Sequence, residues 1–294
     1  MKLLIPSTIT QDVWPSENCC ISINFEEIQQ DFDLIYSPTP DLIWGKTLKI
    51  PYCYDLNKGF SEYSSFENYY SKISGAKRVF VCDKKLNKFA TWLGLDTYWQ
   101  NPQVDIVKWS FSNRKYFTPK LHIGCVYKDV PTFNLIKDLI VSKKSNWVFH
   151  IYLPPDLELG DSISREDVVL YHGDLEKAKL NMFKTIQVFL NLFIPKGPSL
   201  ESFPIQDCLQ AMSCGVPVIS TNIHDNLDHL LFDKTQYFKI DFTDTNTVLD
   251  LLRAVDKRRE KLERISFLGR SVVEKNCNEP KDEAFFNKIF GGNK

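Results

Sequence analysis

The stretch ESFPIQDCLQAMSCGVPVIST, Glu201 to Thr221, holds the residues whose types and spacing best suit chemistry. Ile205, Cys208, Leu209 and Met212 recur at i, i+3, i+4 and i+7, the spacing of a helix with one buried face. Pro204 suits its first turn, where a missing N–H is harmless. Asp207, early in the helix, suits the helix dipole. Gly215 is placed to end the helix in the left-handed conformation, and Pro217 prevents continuation into the strand that Val218 and Ile219 begin. The run Val188 to Phe193 is the preceding strand, so the loop IPKGPSLESF leaves the carboxyl end of a parallel strand and enters a helix N-terminus. Open α/β sheets bind ligands there, and the free N–H groups of the first turn attract phosphate. Glu201 repels such a phosphate, so it must face hydroxyls or a developing positive charge. A phosphate beside a polyhydroxylated, cation-forming carbon describes a sugar nucleotide. The plain alternative is an acid that merely favours the helix dipole.

These residues need a scaffold, and the rest of the chain reads as one. Short apolar runs predict buried strands at Leu3–Ile5, Cys20–Phe25, Leu34–Tyr36, Ile50–Cys53, Val79–Cys82 and Asp105–Trp109. Further runs follow at Leu121–Val126, Trp147–Leu153, Val168–Tyr171, Gln187–Phe193, Val216–Ser220 and Tyr237–Ile240. Helical spacing falls between them, near 66–73, 86–93, 131–142, 175–184, 203–214, 225–232 and 244–267. Such alternation predicts parallel strands covered on both faces by crossover helices. The polar segment SFSNRKYFTP divides the pattern. The expectation is two doubly wound α/β domains, residues 1–112 and 113–294, the first unusually small.

Composition narrows the class. The 294 residues suit two ordinary domains or one large one. A formal net charge of −1 gives no global attraction to nucleic acid or to an anionic membrane. No apolar stretch is long enough to span a bilayer, and the first residues are too short for a signal sequence. The eight cysteines show no CxxC pair and sit mostly in apolar runs, as reduced core residues of a cytoplasmic protein do. No His/Cys/Asp/Glu cluster has good metal-ligand spacing, and neither a GxGxxG nor a P-loop sequence is present. The expectation is therefore no metal and no cofactor.

The quoted stretch resembles the donor-binding signature of GT-B glycosyltransferases, in particular the retaining family 4 class, also called group 1. Glu201-Ser202-Phe203-Pro204 and Gln210-Ala211-Met212-Ser213-Cys214-Gly215-Val216-Pro217-Val218-Ile219 carry the likeness. The preceding VVLYHGDLEKAKLNMFKTIQVFLNLF resembles the family's strand, glycine turn, helix and strand. The resemblance implies two Rossmann-like domains facing across a cleft, with a reduced N-terminal one. It implies that Glu201 contacts donor-sugar hydroxyls near the anomeric carbon, and that the backbone N–H groups of Ser202 and Phe203, with Pro204 beside them, face the sugar and diphosphate. Gln210 falls where the family has a ribose-binding glutamate, and the spacing from Glu201 is one residue longer than usual, so Asp207 is a second ribose candidate. Gly124 matches the glycine after the first strand of this domain, Cys125 replaces the arginine that often follows, and Lys128 is the candidate for the leaving diphosphate. Lys196 and Arg114 are further basic candidates. His172 and Gly173 stand where the family packs the nucleotide base. In the first domain Asp55, in IPYCYDLNKGF, is the candidate acceptor or sugar contact. His224 and Asp225 follow another strand and are candidates to line the cleft.

Each assignment keeps a plainer rival. Lys128 is otherwise a surface lysine, His172 a turn histidine, Gln210 a polar helix face, and Asn222 or Asp225 a helix cap. The expected activity is transfer of a sugar from a nucleotide diphosphate donor to a hydroxyl, retaining and metal-independent, with a glycan or glycoconjugate as acceptor. A phage-type transfer to a hydroxymethylated DNA base is the runner-up. It would need Lys72, Lys77, Arg78, Lys84, Lys85, Lys88, Lys108, Arg114 and Lys115 to form a basic face. A non-catalytic nucleotide-sugar-binding protein and a sugar-nucleotide epimerase are the remaining alternatives.

Overall fold

The computed structural model describes residues 2–6, 19–22, 25–37, 48–56, 70–71, 74–82, 84–113, 115–157, 165–192, 205–221, 231–240, 244–278 and 283–290. It resolves into two compact units, each built on a fully parallel six-stranded sheet.

The first unit contains β1 (Leu3–Pro6), β2 (Cys19–Ser22), α1 (Phe25–Ile28), β3 (Leu34–Ser37), β4 (Tyr52–Asp55), β5 (Arg78–Val81), α2 (Lys84–Trp92) and β6 (Thr97–Trp99). The strand order is β2-β1-β3-β4-β5-β6. Period-2 alternation divides each strand between two faces. Leu4, Ile35, Tyr54, Val79 and Val81 pack with Leu86 and Ala90 of α2 on one face. Ile5, Leu34, Tyr36, Cys53 and Phe80 occupy the other and pack against Phe285 and Phe286.

The second unit contains β7 (Leu121–Val126), α3 (Val130–Val141), β8 (Trp147–Tyr152), β9 (Val168–Tyr171), α4 (Leu175–Thr185), β10 (Val188–Asn191), α5 (Ile205–Ser213), β11 (Val218–Thr221), β12 (Phe238–Ile240), α6 (Thr245–Lys257) and α7 (Glu260–Asn276). A last helix, α8 (Glu283–Phe290), belongs to the first unit. The order β12-β11-β10-β7-β8-β9 reverses direction between β7 and β10. That reversal is the switch point at which doubly wound sheets leave a crevice outside the carboxyl ends of their strands. Aspartates cap the helices around it. Asp129, Asp174 and Asp244 accept from the N–H of Thr132, Lys177 and Thr247 at 2.8, 2.8 and 2.9 Å.

Several elements differ from the sequence reading. Asp105–Trp109 is a turn, because the Asp105 carboxylate accepts from the N–H of Val107 and Lys108 at 2.9 and 3.0 Å. That local bond competes with a strand ladder. Thr97–Trp99 is an edge strand too short to register as a run. The helix expected over 244–267 breaks after Lys257. There Arg259 turns inward to Asp256 at 2.5 Å and to the Thr118 carbonyl at 2.6 Å. Of the helix expected near 66–73, Tyr70 and Ser71 are helical and residues 66–69 and 72–73 lie outside the described residues; the one near 225–232 lies almost wholly outside them. The compact units divide between Asn101 and Pro102, whereas the sequence placed the division after residue 112. Residues 102–112 go with the second unit. Val104 N–H donates to the Cys277 carbonyl at 2.7 Å, and Ser213 Oγ donates to the Trp109 carbonyl at 2.7 Å.

Candidate functional site

The switch point holds a buried polar cluster. Lys128 stands just past β7, and Asn191 is the last residue of β10. Lys128 Nζ donates to Asn191 Oδ1, so one bond spans the reversal. Asn191 Nδ2 in turn reaches Ser220 Oγ on β11 at 3.0 Å. Across the crevice, α5 presents Asp207 and Gln210. Lys179 of α4 donates to Asp207 Oδ1 and to Gln210 Oε1, each at 2.9 Å. Lys128 Nζ lies 3.6 Å from the other Asp207 oxygen. The Lys179 ammonium also sits 5.6 Å from the Trp109 ring centroid, a cation–π contact.

Burial decides what this cluster can do. The side chains of Lys128, Asp207 and Lys179 are 13, 16 and 7% exposed. Among the described residues, two ammoniums here share one carboxylate. Buried charge is costly unless paired, so the excess positive charge favours an anion at the strand ends. Loss of hydration holds the Lys128 amine below its usual pKa, and Asp207 partly offsets this. Burial pushes the thiols of Cys125 and Cys208 up to about 12, which makes them core groups and not nucleophiles.

The other sequence candidates fall in different surroundings. Gln210 is in the cluster and buried, with its carbonyl oxygen held by Lys179, so its Nε2 is the donor end. His172 and Gly173 follow β9 at the same edge of the sheet and are exposed. His172 Nδ1 lies 3.2 Å from the Leu153 carbonyl, which makes it the donor and fixes the ring by one nitrogen. Gly173 has φ +85° with open space around it, and its carbonyl accepts from Tyr152 Oη at 3.0 Å. Gly124 does not follow its strand. It lies inside β7, where an added Cβ would come 2.4 Å from Ile186 Cδ1. The glycine there lets α4 and the residue after it approach the sheet. Asp55, in the first unit, ends β4 and accepts from Tyr36 Oη at 2.9 Å. Glu201, Ser202, Phe203, Pro204, Lys196, Arg114, Asn222, His224 and Asp225 lie outside the described residues.

Two members of the cluster escaped the sequence reading. Lys179 shares a helix face with Ala178, Met182 and Phe183, all buried. A lysine on an apolar stripe needs an acidic partner inside the fold. Asn191 interrupts the run VFLNLF, and a polar side chain in a buried strand must find hydrogen bonds.

Three of the nine basic residues considered for nucleic acid pack against acidic or aromatic partners. In the first unit Arg78 pairs with Asp96 at 2.8 Å, and Lys77 lies 5.0 Å from the Phe290 ring centroid. In the second, Lys108 pairs with Glu176 at 2.5 Å. Lys72, Arg114 and the Lys85 side chain lie outside the described residues. Among the described residues no group of three or more His, Cys, Asp or Glu could hold a metal ion, and no helix is long and apolar enough to cross a membrane.

Solved structures share this architecture from end to end. Anabaena HepE, crystallised with UDP and glucose, is 11% identical and superposes with a TM-score of 0.74 over 99% of this chain and 100% of that one. The fold is GT-B. A glycosyltransferase from Rickettsia africae gives a TM-score of 0.68 at 10% identity, over 91% of this chain and 80% of that one. Sucrose-phosphate synthase of Thermosynechococcus elongatus gives 0.66 at 12% identity, over 98 and 88%. No protein-family model matches the sequence, and no curated protein does. In this GT-B chain the lysine cluster occupies the switch point of the second sheet.

Proposed function

We propose that the protein transfers a sugar from a nucleotide diphosphate donor to a hydroxyl. The observation that carries this reading is the buried pair of lysines at the switch point of the second GT-B sheet. It offers positive charge where an open α/β sheet receives phosphates. HepE was crystallised with UDP-glucose, so a UDP-sugar is the first donor to test. In this reading Lys128 neutralises the leaving diphosphate, and Gln210 presents its amide to the ribose. Glu201 contacts the sugar hydroxyls at the reacting carbon, and His172 with Gly173 borders the base. Transfer proceeds with retention and without a metal. The leaving phosphate assists deprotonation of the acceptor, so no protein base is needed. The acceptor is a glycan or glycoconjugate.

The test uses labelled UDP-, GDP- and dTDP-sugars, with hydrolysis followed first in the absence of acceptor. Release of sugar with the α-configuration conserved supports the reading, and an epimerised product contradicts it. Tight binding without hydrolysis or transfer would leave a binding protein. Salt-sensitive label on hydroxymethylated DNA would replace the glycan acceptor. Glu201→Ala should lower turnover by more than about 100-fold if Glu201 supports the transition state. Turnover like that of the wild type removes it from the mechanism.

A further inference from the structure

The Asp207 carboxylate stands between two ammoniums that hold it unequally. Its Oδ1 lies 2.9 Å from Lys179 Nζ, a full hydrogen bond. Its Oδ2 lies 3.6 Å from Lys128 Nζ, an ion contact too long for one. Lys179 is anchored on three sides, by Asp207, by Gln210 at 2.9 Å and by the face of Trp109. Lys128 is anchored by Asn191, on a different element. The two lysines are therefore not equivalent. One fixes the carboxylate, and the other borrows it.

We propose that Asp207, fixed by Lys179, is a resident counter-ion for Lys128 that an incoming diphosphate displaces. This rests on the nucleotide-sugar reading of the site. Before a diphosphate arrives, the carboxylate limits the cost of a buried ammonium. A diphosphate brings more negative charge than a carboxylate, and Lys128 needs only to swing its terminal amine to meet it. Asp207 keeps Lys179, so the exchange strands no buried charge. The swing also loosens the bond from that amine to Asn191 Oδ1. The same carboxylate opposes the ligand it makes way for, because like charges a few ångströms apart repel. Asp207 thus sets the affinity for the diphosphate group and leaves recognition of the nucleoside untouched. The long Lys128 contact, which makes exchange easy, agrees with a lysine whose burial already disfavours its charge.

Calorimetric titration of wild type and Asp207→Asn with pyrophosphate, UDP and uridine tests this. The isosteric amide removes the competing charge and keeps the shape. Pyrophosphate and UDP should bind roughly tenfold more tightly to the variant, with uridine unchanged. Equal or weaker binding of both anions by the folded variant overturns the proposal. Should Asp207→Asn fail to fold, the double variant Lys179→Met/Asp207→Leu replaces the tight pair by apolar side chains, an exchange that buried pairs tolerate. It keeps the net charge of the cluster yet frees Lys128 of its rival, so roughly tenfold tightening is again expected, and its absence is again fatal. Tightening for pyrophosphate with no binding of UDP by either protein keeps the counter-ion role and removes the nucleotide reading. No binding of any of the anions removes both.

Discussion

Acid should weaken the second unit through a histidine chain in its sheet. His122 on β7, His150 on β8 and Tyr171 on β9 are joined side to side. His122 Nδ1 lies 2.8 Å from His150 Nε2, and His150 Nδ1 lies 3.1 Å from Tyr171 Oη. One proton satisfies each link while both rings are neutral; a second proton on His150 places a buried positive charge in the chain. Burial, with His122 beside it, lowers His150 from 6.5 to about 4. His122 is also lowered, first by burial and then by Lys120 and Arg259. The unfolded chain therefore takes up a proton near pH 6.5 that the folded chain refuses until about pH 4. Stability is fully present above the unfolded value and is lost as pH falls between the two. The linked loss through His150 alone is about 2 kcal/mol at pH 5 and approaches about 3 kcal/mol near pH 4. Urea unfolding at pH 8, 6.5, 5.5 and 5 measures it, with His150→Phe as the reference that cannot titrate. The wild type should lose about 2 kcal/mol more than the variant over that range. NMR of the ring C2–H should show His150 titrating far below an ordinary histidine. A midpoint at or above 6.5, or parallel stability curves for the two proteins, would refute the reasoning.

Two further substitutions probe the scaffold under the site. Gly124→Ala places a Cβ 2.4 Å from Ile186 Cδ1 and should cost about 1–3 kcal/mol in denaturant unfolding; adding Ile186→Val removes that methyl and should restore part of the loss. Lys179→Met leaves Asp207 with only the long Lys128 contact among the described residues, and should cost about 3 kcal/mol, most of it recovered in Lys179→Met/Asp207→Leu.

The sheets were legible because a parallel strand buried on both faces is a nearly continuous apolar run. LHIGCV, WVFHIY and VFLN each announce themselves in this way, and the structure makes them neighbours at the centre of one sheet. The turn at 105–109 was misread because VKW is apolar enough for a strand, and a single Asp105 carboxylate settles the matter locally. Lys128 and Gln210 were named as site candidates through the resemblance to the GT-B donor signature. Their shared partners were not. Asp207 of α5 joins Lys128, in the loop after β7, to Lys179 of α4, 51 residues further along the chain, and nothing in local periodicity encodes such a meeting. Gly124 has a second role that the sequence did not show. It resembled a ligand-facing glycine by position, while its lack of a side chain serves Ile186, a residue that sequence spacing gives no reason to bring near.

The place of α8 has a consequence for the order in which the protein can be made. The sheet face bearing Ile5, Leu34, Tyr36, Cys53 and Phe80 is covered by Phe285 and Phe286. On a ribosome those strands are synthesised long before the helix that shields them, because all of the second unit is translated in between. Domains generally fold as units during synthesis, and the second unit has its whole core within one stretch of chain. The first unit does not. It must wait with an apolar face open to water, and it closes only once Phe285 and Phe286 have been made. During that interval the nascent chain carries the kind of surface that chaperones recognise, and a ribosome stalled before residue 285 leaves it there.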